Sequence, residues 1–226
     1  MFANSQPIQS SQQGPHARLR EVVQKHLHTE FLRPPSQVSL SAFAGLAAKL
    51  SALPDPKPLI LDTGCGTGVS TLALARQHAD CHVIGIDKSE LRLAQGQRLL
   101  QQPGAPKNAS LLRCDLGDFW RLAAQAGWRV RHQYLLYPNP WPKPEHLKRR
   151  WHAHPVFPSL LALGGTLELR CNWRIYADEF AQALDCAGIV ASVEEFIPEM
   201  ALTPFEHKYQ ASAHTLWRCR ALIPNR

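Results

Sequence analysis

The stretch "LILDTGCGTGVS" (residues 59–70) joins an apolar run to Asp62, to three alternating glycines (Gly64, Gly66, Gly68) and to the start of a helical pattern. Glycine reaches positive φ at no steric cost, but it weakens the chain around it. Three of them at one turn therefore imply a ligand that must approach the backbone closely. The stretch reads as strand, ligand loop and helix, with the first helical amides open to that ligand. A plain tight turn is the alternative. A dinucleotide loop would space its glycines Gly-x-Gly-x-x-Gly, and this one does not.

Two further strands ending in an acid follow downstream. "HVIGID" (82–87) ends in Asp87, 19 residues beyond Gly68, and "SLLRCD" (110–115) ends in Asp115. A carboxylate after the second strand can accept hydrogen bonds from both ribose hydroxyls of a nucleoside cofactor. Each of these acids could also cap the helix that follows it. Further strands are expected at 58–62, 133–137, 165–171, 189–196 and 214–223. Helices are expected near 69–78, 89–102, 117–127, 155–163 and 175–187. This alternation predicts an α/β fold with a mostly parallel sheet and helices on both faces. No helix is expected between the last two strands, which are read as an antiparallel hairpin at one edge. Upstream, residues 17–28 and 39–53 have helical periodicity, with Ser39 as the expected cap of the second helix. The chain divides into a mobile tail (1–15), N-terminal helices (16–57) and one larger domain (58–226).

Composition narrows the function. The hydrophobic share of 45% is that of a folded protein, and no apolar run is long enough to span a membrane. Six cysteines without a Cys-x-x-Cys pair, and eleven histidines without a ligand pattern, suggest reduced thiols in the cytoplasm and no metal. A net charge of +7 suits a polyanionic partner. Residues 129–151 concentrate it, with Arg129, Arg131, Lys143, Lys148, Arg149 and Arg150 against Glu145 alone.

Within that region the fourth strand runs into "YPNPWPK" (137–143). Its three prolines restrict the backbone, so Asn139 and Trp141 are held rather than left to wander. A fixed amide and an indole suit the gripping of a flat base, and Arg149 and Arg150 then read as a phosphate clamp. Arg18, Arg20, Lys25 and Arg33 could extend that surface. A rigid turn whose Trp141 covers the core is the alternative.

These motifs together resemble the bacterial tRNA (guanine-N7)-methyltransferases. The match includes the Asp-x-Gly-x-Gly-x-Gly loop, "YPNPWPKPEHLKRRW" (137–151), "CNWRIYADEF" (171–180) and "TPFEHKY" (203–209). The resemblance implies the Rossmann-like seven-stranded methyltransferase fold and S-adenosylmethionine as cofactor, held by Asp62, Asp87 and Asp115 with Gly64, Gly66 and Gly68. It implies methyl transfer to N7 of a variable-loop guanine (position 46 type) in tRNA or another structured RNA. Asn139 takes the place of a catalytic Asp. Lys143, Asn172 and Thr203, Pro204, Phe205 and Glu206 take substrate-contacting places, beside Trp141, Arg149 and Arg150. Two carboxylates of the family pattern are amides here, Asn139 and Asn172. Two alternatives therefore stay open: transfer to a base or glutamine amine, because "NPW" also resembles an Asn-Pro-Pro-Tyr motif, and an RNA-binding paralogue without turnover.

Overall fold

The computed structural model describes residues 4–225. Seven strands are present: β1 (Leu59–Thr63), β2 (His82–Asp87), β3 (Ala109–Arg113), β4 (Val130–Leu136), β5 (Gly165–Cys171), β6 (Ala191–Glu195) and β7 (Trp217–Ile223). They form one sheet in the order β3-β2-β1-β4-β5-β7-β6. The first five run parallel, and β7 lies antiparallel to both β5 and β6. Eight α-helices accompany them: α1 (Leu19–Leu27), α2 (Gln37–Ser51), α3 (Val69–Gln77), α4 (Glu90–Leu100), α5 (Leu116–Gln125), α6 (Phe157–Ala162), α7 (Arg174–Cys186) and α8 (Pro204–Ala211).

Because strand side chains alternate, each buried strand feeds two cores. Ile60 and Val83 pack with Leu74 and Ala75 of α3 on one face. Leu61, Ile84 and Ile86 pack with Phe119 and Trp120 of α5 and Phe180 of α7 on the other. The expected mostly parallel sheet with helices on both faces is the fold observed. Its strand order reverses between β1 and β4, where the connections leave to opposite faces and open a crevice at the carboxyl ends.

Three expectations need correction. A helix, α8, does separate β6 from β7: the Thr203 hydroxyl accepts from the Glu206 amide at 2.9 Å and Pro204 occupies the first turn. "TPFE" is thus a helix start. The cap of α2 is Ser36, whose hydroxyl accepts from the Ser39 amide, while Ser39 itself is buried. Of the segment expected as a mobile tail, residues 4–15 are laid down along the protein, and residues 1–3 lie outside the described residues. Its Ser5 amide donates to Ser212 Oγ at 3.1 Å, its Ser10 hydroxyl to Pro142 O at 2.6 Å, and its Gln12 side chain to Glu179 at 2.6 Å.

Candidate active site

Gly64, Gly66 and Gly68 all take positive φ (81°, 57° and 75°), as the glycine reading requires. The loop hangs from β2: the Gly64 and Cys65 amides donate to Ile86 O, and the Gly66 amide to Asp87 Oδ2 at 3.0 Å. Gly68, at the N-cap of α3, offers no side-chain cap, so the first turn of α3 keeps open amides. Asp87 also accepts from the Ser89 amide at 2.7 Å through Oδ1. Each carboxylate oxygen can take two hydrogen bonds, so Oδ1 keeps a free acceptor position, while Oδ2 also faces Arg92 Nη1 at 3.5 Å. Asp115 caps α5 through Oδ1, yet its side chain stays 43% exposed, so capping and ligand binding are compatible there. The acceptors at Asp87 and Asp115 fit the ribose hydroxyls and amino group of S-adenosylmethionine, and the open amides of α3 fit its carboxylate.

Asp62 differs from the expectation of an open cofactor ligand. It is 1% exposed, and its Oδ2 accepts from Ser70 Oγ and Thr71 Oγ1, both at 2.6 Å. It ties the strand end to α3 behind the loop. A Cβ on Gly85 would stand 2.2 Å from Thr71 Oγ1, so a glycine there makes room for this tie. Burial raises the Asp62 carboxyl to about 6, against the downward pull of the two hydroxyls. The unfolded value is near 3.8, so the raised folded value adds stability below pH 3.8 that is lost as pH climbs through 6. Relative to Asp62→Asn, the wild type should lose about 2 kcal/mol of unfolding free energy between pH 4 and pH 7. Urea titrations of both proteins across that range check this, and a pH-independent difference would contradict it.

The loop after β4 carries two bulky residues at positive φ, Tyr137 (52°) and Trp141 (46°). Such backbone persists only where its surroundings hold it. Here the Trp141 amide donates to Asn139 Oδ1 at 3.2 Å, and Trp141 O accepts from Arg150 Nε and Nη2 at 3.2 and 3.0 Å. Arg150 is therefore no phosphate clamp: it is fully buried, and Nη1 lies 2.6 Å from Glu179 Oε2 on α7. Glu179, also fully buried, collects further bonds from Gln12, the His16 amide and His152. Burial works to raise its pKa, but the bonds and charges of His152 and Arg150 outweigh this and hold it at about 2. Arg149 is exposed, with its guanidinium 4.8 Å from the centre of the Trp141 ring. Asn139 and Lys143 are exposed at the loop surface.

Beside this loop, Asn172 follows the end of β5 and pairs through Nδ2 with His214 Nδ1 at 3.1 Å. Glu206 is not presented to a substrate. Fully buried, it accepts from the Tyr137 hydroxyl (2.8 Å), Arg170 (3.0 Å) and the Leu202 amide (2.6 Å), and so clamps α8 over β4 and β5. Thr203 serves the same end as cap, whereas Pro204 and Phe205 are exposed, Phe205 at 52%. The outlying arginines are neutralised: Arg18 pairs with Glu21, Arg20 with Asp185, and Arg33 with Asp118 and Asp115. The glycine loop, Asp87, Asp115, Asn139, Lys143 and Asn172 thus all lie at one sheet edge. Arg150, which the sequence suggests as a phosphate clamp, instead supports them from within, together with Glu179, Gln12, Arg170 and His214, which sequence reasoning missed. Glu179 alone left a signal, as a lone charge in the stripe Tyr176, Phe180, Ala183.

Residues 56–219 match the family described as "Putative methyltransferase". A tRNA (guanine-N(7)-)-methyltransferase of Leifsonia xyli is 29% identical, over 77% of this chain and 81% of its own. That of Saccharophagus degradans is 30% identical, over 71% and 73%. Among solved structures the 16S rRNA methyltransferase KamB superposes with a TM-score of 0.59, covering 85% of this chain and 96% of that one at 18% identity. The fold, the S-adenosylmethionine-type cofactor cradle and these similarities agree: the chain belongs to the tRNA (guanine-N7)-methyltransferase family.

Proposed function

We propose that this protein transfers a methyl group to N7 of a guanine in the variable loop of tRNA. One observation carries the reading: Asn139, Lys143 and Asn172 stand at the carboxyl ends of β4 and β5, beside the glycine loop that follows β1. S-adenosylmethionine, when bound, supplies a methyl carbon made electrophilic by its sulfonium. Guanine N7 carries a lone pair and no proton, so the chain need not supply a general base and has chiefly to align the base. Gly64, Gly66, Gly68, Asp87 and Asp115 would hold the cofactor, with Asp62 bracing the loop from behind.

The two amides divide the work of holding guanine. Asn139 Oδ1 is engaged by the Trp141 amide, which leaves its NH2 outward, a donor suited to guanine O6. Asn172 retains a carbonyl oxygen for the donors of the Watson–Crick edge. Trp141, half-buried with Arg149 over its ring and His146 edge-on to it, can form one wall against the base. Lys143, Lys148, Arg149 and Lys25 offer charge to phosphates, so binding should weaken steeply with salt. Residues 58–226 form the catalytic unit, residues 16–57 add Lys25 to the RNA side, and the work is cytoplasmic. A tRNA transcript with 7-deazaguanosine in place of guanosine should accept no methyl, while the ordinary transcript does. Equal labelling of both would overturn the reading.

A further inference from the structure

An amide can face a ligand with its oxygen or its nitrogen, and nothing in the amide itself decides which. At Asn172 a chain of three groups decides it. His214 Nε2 lies 3.0 Å from the backbone oxygen of Ser5, and its Nδ1 lies 3.1 Å from Asn172 Nδ2. A carbonyl oxygen only accepts, so Nε2 carries the hydrogen. In the neutral ring Nδ1 is then a bare acceptor and takes its hydrogen from the Asn172 NH2. The ring is held for this role by stacking on Tyr209, at 5.2 Å between centroids and 17° between planes. Tyr209 in turn packs on Tyr137 at the base of the substrate loop. One N–H of Asn172 is thereby committed to His214, which fixes which side of the amide turns toward the ring, and its Oδ1 has no hydrogen-bond partner among the described residues.

We propose that His214 is a positioning residue that turns the Asn172 amide so that its oxygen accepts from the N1–H and amino donors of the substrate guanine. Its tautomer is set by the Ser5 carbonyl. The proposal rests on the reading of Asn172 as a substrate contact. It explains how an amide serves where a carboxylate would accept in either orientation: the neighbouring imidazole removes the choice. It also gives the N-terminal segment a part in substrate recognition, because Ser5 polarises the chain of bonds from the far side.

Two measurements test it. Long-range 1H–15N spectra of the resting protein at neutral pH should show His214 as the neutral tautomer with hydrogen on Nε2. Hydrogen on Nδ1, or on both nitrogens, would overturn the proposal. In the methyl-transfer assay, His214→Phe keeps the stacking but removes the acceptor, and should raise the KM for tRNA about 10-fold with kcat little changed. Adding Asn172→Asp to His214→Phe should restore KM, since a carboxylate has no wrong orientation. An unchanged KM in His214→Phe, or no recovery in the double variant, would overturn it. Should the wild type transfer no methyl to guanine, the functional reading falls, and the tautomer alone then judges the geometry.

Discussion

Glu179→Ala should destabilise the protein by about 3–5 kcal/mol, because it leaves Arg150 as an unpaired charge in a fully buried site. Urea unfolding followed by tryptophan fluorescence measures this. The functional loss should exceed the stability loss. Arg150 supports the left-handed Trp141 through Trp141 O and reaches Lys143 O at 3.4 Å, so a disturbed Arg150 releases the loop that carries Asn139 and Lys143. The double variant Arg150→Met, Glu179→Leu separates the two effects. Apolar replacement of a buried pair is often neutral in stability, so the double variant should recover part of the lost folding free energy, less the cost of leaving His152, the His16 amide and Gln12 without their acceptor. It should not recover methyl transfer, since nothing then donates to Trp141 O. Recovery of both would mean that the pair serves only the fold.

Asp87→Ala should weaken S-adenosylmethionine binding at least about 100-fold, read by calorimetry. A hydrogen bond to a charged acceptor contributes about 1.5–3 kcal/mol, and the ribose would lose two. The side chain also holds the loop through the Gly66 amide, so part of the loss comes from a loosened glycine turn. Asp87→Asn retains the shape and one acceptor and should fall between the two. Binding within threefold of wild type in Asp87→Ala would show that the carboxylate does not face the cofactor.

The fold was legible because its signals are local. Gly64, Gly66 and Gly68 announce a positive-φ turn within five residues, and strand periodicity with terminal acids marks β1 to β3. Much of the candidate site was not legible because its partners are distant. Arg150 meets Glu179 across 29 positions and Gln12 across 138. Beside Lys148 and Arg149, nothing in the sequence distinguishes the one arginine that turns inward. "TPFE" shows the reverse problem, since it can be read as a ligand element or as a capped helix start. In the structure Thr203 and Glu206 act in the second way, and Glu206 goes on to fasten α8 over the site. The amides at 139 and 172 stood out as departures from the family pattern. Only their neighbours, the Trp141 amide and His214, reveal that one is left as a donor and the other as an acceptor.

Guanine N7 transfer sustained by Asn139 and Asn172 in place of carboxylates leaves a direct product to look for. Purified protein is incubated with labelled S-adenosylmethionine and tRNA lacking this modification, and the RNA is digested to nucleosides. The label is expected in 7-methylguanosine. Label in an N-methylated base amine or on protein, or cofactor binding with no transfer at all, would contradict it.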